Sequence, residues 1–291
     1  MKKILITGVN SYIGTSFQGW VSQYPDMYSV DFINIRDDQW KENSFSGYDV
    51  IFHTAAIVHV KENDTDKYFK VNRDLTVKLA KKAKEEGVRQ FIFMSTMGVY
   101  GKESGYITEE TTPTPKTFYA KSKYEAEKLL FEMNSKNFCI ATLRPPIVYG
   151  RGCPGNYSRL ANMAIKLPLF PDIDNKRSMI YIDNLTEFIR LLIDFKGRGV
   201  FFPQNKEFVN TTELVKLIAA YHGKKIKTSN VINWAVSMGL KQSGTFKKVF
   251  GSFIYEQQMP GSQGVFMNGN ILDYEVVSFK ESIKRTEYYI M

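Results

Sequence analysis

The sequence predicts an α/β protein: a doubly wound parallel sheet with helices on both faces, and a smaller interleaved C-terminal part. Three observations lead there. Short apolar runs, KILIT (3–7), DVIFHT (49–54), QFIFMST (90–96) and FCIATLR (138–144), have the length of strands buried on both sides. Helical segments alternate with them, which makes right-handed βαβ crossovers the natural connection. The first run ends in a glycine turn, TGVNSYIG (7–14), that opens a helix.

In order, the first strand ends at Gly8 and a helix runs from Ile13 to about Val21. A second strand is expected over 28–35 and a third over 49–54. A long helix follows from about Lys67 to Glu86, then the strand 90–96. Pro113 and Pro115 punctuate the chain before a helix over 117–130, and the strand 138–144 closes this half. Residues 1–150 are expected to form the dinucleotide-binding domain. After Gly150 the texture changes: GRGCPGN is a loop and LPLFPDIDNKR is irregular. Short strands (178–182, 199–203) and helices (183–195, 211–222, 278–289) then form a smaller substrate-binding part over 151–291, interleaved with the first.

With 291 residues and 43% apolar side chains, the chain has enough material for a core without disulfides. The two cysteines, Cys139 and Cys153, have no metal-ligand spacing, so no metal site is expected and a reducing compartment fits. No apolar run is long enough to span a bilayer, and the N-terminus does not read as a signal peptide, so the expected location is the cytoplasm. The net charge of +9 comes from dispersed lysines, which read as solvated faces. No basic face with interleaved aromatics stands out, so nucleic acid is not an expected partner.

In TGVNSYIG, Gly8 makes the tight turn and Gly14 lets the helix pack on the strand. The amides of Asn10, Ser11, Tyr12 and Ile13 lie where the positive end of the helix favours a pyrophosphate. Ser11 stands at the usual middle glycine, where its hydroxyl is able to donate to a phosphate. The second strand should end beside the adenosine ribose. An acid there accepts from the 2′-hydroxyl of NAD, and a base pairs with the 2′-phosphate of NADP. This chain reads FINIRDD, with Asn34 at the acid's place and Arg36 following, which favours NADP over NAD. Asp37 and Asp38 argue the other way.

Ser95 and Thr96 end the strand 90–96, where open α/β sheets place ligands. Tyr119 and Lys123, one turn apart, share a helix face. A phenol normally titrates near pH 10. An ammonium one turn away would lower that value and make the phenol a proton donor at neutral pH, with Thr96 orienting the reacting oxygen.

With these residues in place the chain resembles the extended short-chain dehydrogenase/reductases, the nucleotide-sugar epimerases, dehydratases and ketoreductases with a Rossmann-type sheet. TGVNSYIG, HTAA, the Val71-Asn72 pair, STMGVYG, YAKSK and LRPPIVYG occur in the family's order. The resemblance implies that Ala55 and Ala56 line the cofactor. It implies that Asn72 supports the catalytic region, and that Arg144, Pro145 and Pro146 wall the nicotinamide. In CPGNYSRL and KRSMIYIDNL it points to Asn156 and Arg177 as ligands of a substrate diphosphate, a task suited to the forked donors of arginine. A homodimer through the long helix and the Tyr119 helix is also implied.

Departures narrow the chemistry. Dehydratases of the family carry an Asp-Glu pair after the Ser/Thr, where this chain has Met97-Gly98. Cys153 and His59 read as ordinary turn and core residues rather than as extra acid/base groups. Two activities remain: 4-keto reduction and 4-epimerisation of a UDP-sugar. The closest resemblance is to capsule-pathway reductases that make UDP-N-acetylfucosamine. A binding protein on the same fold is a rival, since fold does not fix function; such proteins tend to lose the tyrosine or lysine, and this chain keeps both. An epimerase acting on a lipid-linked sugar is another, with NVINWAVSMGL (230–240) as a candidate peripheral membrane contact.

Overall fold

The computed structural model describes residues 1–58, 65–230, 233, 250–267 and 269–288. Its strands in chain order are β1 (Lys2–Thr7), β2 (Tyr28–Ile33), β3 (Val50–His53), β4 (Gln90–Met94), β5 (Gly105–Ile107), β6 (Cys139–Leu143), β7 (Ile147–Tyr149), β8 (Leu169–Pro171), β9 (Met179–Tyr181), β10 (Gly199–Phe201), β11 (Lys227–Ser229) and β12 (Phe253–Tyr255). A hairpin, β13 (Val265–Met267) and β14 (Asn270–Leu272), follows. The main sheet has the order β2-β1-β3-β4-β6-β10 and is parallel throughout.

Alternation along each strand builds two cores. Ile4, Ile6, Val50, Phe52, Ile92, Met94 and Leu143 face one side, where α1 (Tyr12–Val21) contributes Phe17 and Val21. Leu5, Ile51, Phe91, Phe93 and Ile140 face the other. That side is covered by α3 (Thr76–Glu85) through Leu79 and Ala83, and by α4 (Phe118–Phe131) through Ala126 and Leu130. Helices on both faces explain why these strands read as unbroken apolar runs.

The long helix expected over 67–86 is interrupted. It begins as α2 (Thr65–Phe69), widens into a π-helical stretch over Lys70–Leu75, and resumes as α3. Such widenings re-aim side chains and recur at functional sites. From β2 to β3 the chain crosses on a single 3₁₀ turn, Asp38–Lys41, whose Trp40 stacks on Phe45 with ring centroids 6.4 Å apart. β2 is therefore an edge strand. The chain leaves β1 to one side and returns to β3 on the other, which opens a crevice above β1 and β3.

Beyond residue 150, α5 (Asn156–Lys166) and α7 (Thr211–Tyr221) share a third core with Tyr149, Tyr157, Phe170 and Tyr181. The paired strands β7–β9 and β5–β12 lie past the carboxyl ends of β6 and β4. Two elements return to the main sheet. α6 (Ile182–Asp194) packs Leu185, Phe188 and Leu192 into the α1-side core, and β10 becomes the edge strand beside β6. The strand 199–203, grouped by the sequence pattern with the smaller part, thus completes the sheet.

Candidate active site

A cleft of about 800 Å³ opens above β1 and β3, lined by Gly8, Val9, Asn10, Ser11, Asn34, Arg36, Thr54, Ala55, Ala56 and Ile57, with Lys67 and Val71 across from them. Gly8 has φ +97°, and a Cβ there would press within 3.2–3.3 Å of Thr54 and Ala55. Only glycine keeps this turn. At Gly14 a Cβ would meet Ser11 Oγ at 2.4 Å and Ile6 Cγ2 at 3.0 Å, so helix and strand approach through its missing side chain.

Ser11 is the N-cap of α1, in ordinary extended geometry (φ −73°), and accepts from the Gly14 amide at 3.2 Å. The position therefore needs no glycine. Its hydroxyl is not available to a phosphate, which corrects the expectation. Thr54 Oγ1 spends its proton on the Thr7 carbonyl (2.6 Å), so the 2.6 Å contact between Ser11 and Thr54 uses the serine proton. The expectation at Tyr12 and Ile13 concerns their amides; neither residue is among those that line the cleft. Ile13 packs between the α1-side core and the core of the C-terminal part, and the Tyr12 phenol is buried where a Cβ on Gly150 would touch it at 2.6 Å.

At the end of β2, Asn34 Oδ1 accepts from the Arg36 amide (3.1 Å), and Arg36 is exposed on the cleft wall. The Asp37 carboxylate caps the 3₁₀ turn by accepting from the Gln39 amide (3.1 Å), and Asp38 pairs with Lys41 (2.7 Å). Both acids that followed Arg36 are thus committed to the turn.

Thr96 and the Tyr119 helix converge. Thr117 caps α4 by accepting from the Ala120 amide, and the first turn of α4 packs on the Met97–Tyr100 turn: a Cβ on Gly98 would lie 3.3 Å from Thr96 Oγ1 and 4.0 Å from the Ala120 Cβ. Thr96 Oγ1 accepts from the Gly98 amide (3.0 Å), which leaves its own proton free to donate. Lys123 is fully buried. Its ammonium donates to the Met94 carbonyl (2.8 Å) and sits 4.5 Å over the Phe93 ring.

The expected charge tuning is absent in this geometry. Burial pushes the Tyr119 phenol up to about 12, with no offset from Lys123. Burial also lowers Lys123 to about 7, against an opposing pull from Glu127. The ammonium is spent on Met94 and Phe93 rather than on the phenol.

Ser95 does not belong to the site. It is buried, and its hydroxyl donates to Glu127. Glu127 also takes the Arg144 guanidinium, at 2.5 Å from Nη2, and Arg144 Nη1 donates to Tyr100 (2.9 Å). Arg144 is thus a buried brace between α4 and β6 rather than a wall of the cofactor site, and Pro145 and Pro146 are buried beside it. Asn72 is likewise enclosed. Its Oδ1 accepts from the Ile57 amide (2.9 Å), and its Nδ2 donates to the Ile57 carbonyl (3.0 Å) and to Ser122 Oγ (3.2 Å). It holds the cleft loop rather than touching what fills the cleft.

In the C-terminal part Asn156 is exposed as the first residue of α5. Arg177 is buried. Its guanidinium donates to the Gly251 carbonyl (2.9 Å), and among the described residues no carboxylate pairs with it. Burial lowers it to about 10. Cys153 is buried, with its thiol raised by burial, in line with an inert turn residue. His59 and all of 231–240 except Asn233 lie outside the described residues. Sequence reasoning missed His53, Thr54 and the Glu127–Arg144 pair. The polar residue at the end of each apolar run was the available signal.

The cleft thus opens over the N-terminus of α1, with Thr96 at the end of β4 and Tyr119 and Lys123 on the first turns of α4. Residues 4–201 match the NAD dependent epimerase/dehydratase family, and the chain belongs to it. It is 29% identical to the UDP-glucose 4-epimerase of Vibrio cholerae over 90% of this chain and 86% of that one. It is 27% identical to the N-acetyl-alpha-D-glucosaminyl-diphospho-ditrans,octacis-undecaprenol 4-epimerase of Escherichia coli O157:H7, over 72% and 64%. The solved UDP-N-acetylglucosamine 4-epimerase of Bacillus cereus shares the fold, with TM-score 0.76 over 99% and 98% of the chains at 18% identity. No helix among the described residues is long and apolar enough to cross a membrane.

Proposed function

We propose that this protein reduces the C4 ketone of a UDP-4-keto-6-deoxy-N-acetylhexosamine, with NADPH as the preferred donor. The observation that carries the reading is the adenosine end of the cleft. Arg36 is exposed there, while Asp37 and Asp38 are tied into the turn below, which leaves a cation and an amide (Asn34) where NAD-binding chains present an acid. A cofactor chosen as NADPH suits net reduction.

The residues present fit the cofactor. Gly8 lets the turn pass close over Thr54 and Ala55, and Val9, Asn10 and Ser11 line the cleft, with the Ser11 amide donating to the Gly8 carbonyl (3.0 Å). A bound nicotinamide would supply the hydride at C4. This chain's own groups do the rest: the free Thr96 proton orients the C4 oxygen, and Tyr119 gives its phenolic proton to that oxygen as charge develops on it. For this the phenol has to come down from about 12. A turn of Lys123 away from Met94 toward the ribose and phenol would provide the charge. Arg177, a buried cation beside a single carbonyl, is suited to a diphosphate of the substrate.

A second reading, 4-epimerisation of a UDP-hexose, is favoured by the names of the similar enzymes. Incubation of the purified protein with the 4-keto sugar and NADPH, following nicotinamide absorbance and product stereochemistry, separates the two. The reductase reading predicts one NADPH consumed per product. Interconversion of UDP-gluco and UDP-galacto sugars, with no oxidation of NADPH or NADH by the keto sugar, would overturn it.

A further inference from the structure

His53 ends β3 in a row, Thr7–His53–Phe93, that runs across β1, β3 and β4 on the α3/α4 side. It is buried, lies flat against Phe93 (centroids 5.9 Å, 12° between planes), and uses both ring nitrogens. The bonds around it fix its proton. Thr76 has one hydroxyl proton, and that proton goes to the Asn72 carbonyl (2.9 Å). His53 Nε2, 2.8 Å from the same hydroxyl, must then be the donor to it. Nδ1 is left as acceptor, served by Thr7 Oγ1 at 2.7 Å. Burial and the charge of Lys123 both hold the ring neutral.

Two chains of bonds meet at Thr7. One runs from the Gly14 amide to Ser11, to Thr54 and to the Thr7 carbonyl. The other starts at the Thr7 hydroxyl and passes through His53 and Thr76 to Asn72, in the π-helical stretch. From there the Asn72 side chain clamps Ile57 of the cleft loop and reaches Ser122, whose hydroxyl donates to the Tyr119 carbonyl (2.9 Å). We propose that His53, held as its neutral Nε2–H tautomer, is a positioning residue that sets the glycine turn and the cleft loop against the catalytic helix through Thr76 and Asn72. No step in the chemistry passes through it. In a buried network each bond constrains the next, so loss of one member displaces groups at both ends.

The inference rests on the nicotinamide-dependent reading above. Its test therefore uses cofactor affinity, which needs no sugar, as well as turnover. Thr76→Val removes the hydroxyl at nearly constant shape, Thr76→Ser restores it, and Thr7→Val cuts the chain on the other side of His53. The dissociation constant of NADPH, from nicotinamide fluorescence, and kcat at saturating substrate are measured with the melting temperature. Thr76→Val should weaken NADPH about fivefold and lower kcat about tenfold, with Thr7→Val in the same direction and Thr76→Ser near wild type. Val variants that melt earlier but bind NADPH and turn over as wild type would make the network purely structural and overturn the proposal. So would a Thr76→Ser variant as impaired as Thr76→Val. If the wild type turns over no UDP-sugar, the function reading fails while the affinity arm still decides this one.

Discussion

The proposed cofactor and substrate regions are held in opposite ways. On the cofactor side nearly every polar group is already spent inside the protein: Ser11 on Thr54, Thr54 on Thr7, Asn72 on Ile57 and Ser122. What remains for a ligand there is backbone, open space and, at the adenosine end, the exposed Arg36. On the proposed substrate side, Arg177 is buried against one carbonyl and Asn156 stands exposed at a helix start. The first region is finished before anything binds; the second leaves a cation for its ligand to satisfy. A rigid cradle suits a cofactor that is the same in every turnover, and an unsatisfied buried cation suits a substrate whose diphosphate brings the missing charge.

The largest effect should come at the proposed proton donor. Tyr119→Phe is expected to fold and bind cofactor as wild type while turnover falls about a hundredfold or more, the scale of losing a general acid. Wild-type turnover on the 4-keto sugar would remove Tyr119 from the chemistry.

Next comes the unsatisfied region. Arg177→Ala should raise KM for the UDP-sugar roughly ten- to hundredfold, the value of charge-assisted bonds, with NADPH affinity unchanged. A change confined to NADPH binding would assign Arg177 to the other region.

On the cofactor side, Arg36→Ala should weaken NADPH about tenfold and leave NADH alone, since only the former carries a 2′-phosphate. Equal losses for both would break the NADP preference.

The smallest effect is a stability slope. Lys123 has its folded pKa lowered by burial to about 7, below its unfolded value of about 10.5. Below pH 7 both states hold the proton, and the folded state bears the full penalty of a buried ammonium. As pH rises above 7 the folded protein loses that proton while the unfolded chain keeps it, so stability should rise. Cofactor-free protein is therefore expected to melt at higher temperature at pH 8.5 than at pH 7.0, and Lys123→Met should flatten that difference. An equal slope in the variant would place the titration elsewhere.

How much was legible in the sequence differs by residue. Buried strands, the glycine turn and the Tyr119–Lys123 spacing are local patterns, and each formed where its period and turn residues placed it. Gly8 and Gly14 could be read because only glycine fits those positions. Ser95 and Arg144 were misplaced for the converse reason. A polar residue at a strand end is equally suited to a ligand or to a neighbour, and their shared neighbour, Glu127 on α4, comes from another part of the chain.

By itself the sequence determined the order of strands and helices, the turn at Gly8, and the one-turn spacing of Tyr119 and Lys123, because these depend on backbone sterics and on periodicities of two and 3.6 residues. Only the tertiary structure decided which of the polar groups face the cleft and which are spent on one another. It placed β10 beside β6 and aimed the Lys123 ammonium at Met94 rather than at Tyr119. Burial is the physical reason: once a group leaves water it takes whatever partner packing brings within reach, and packing joins residues that no local pattern relates.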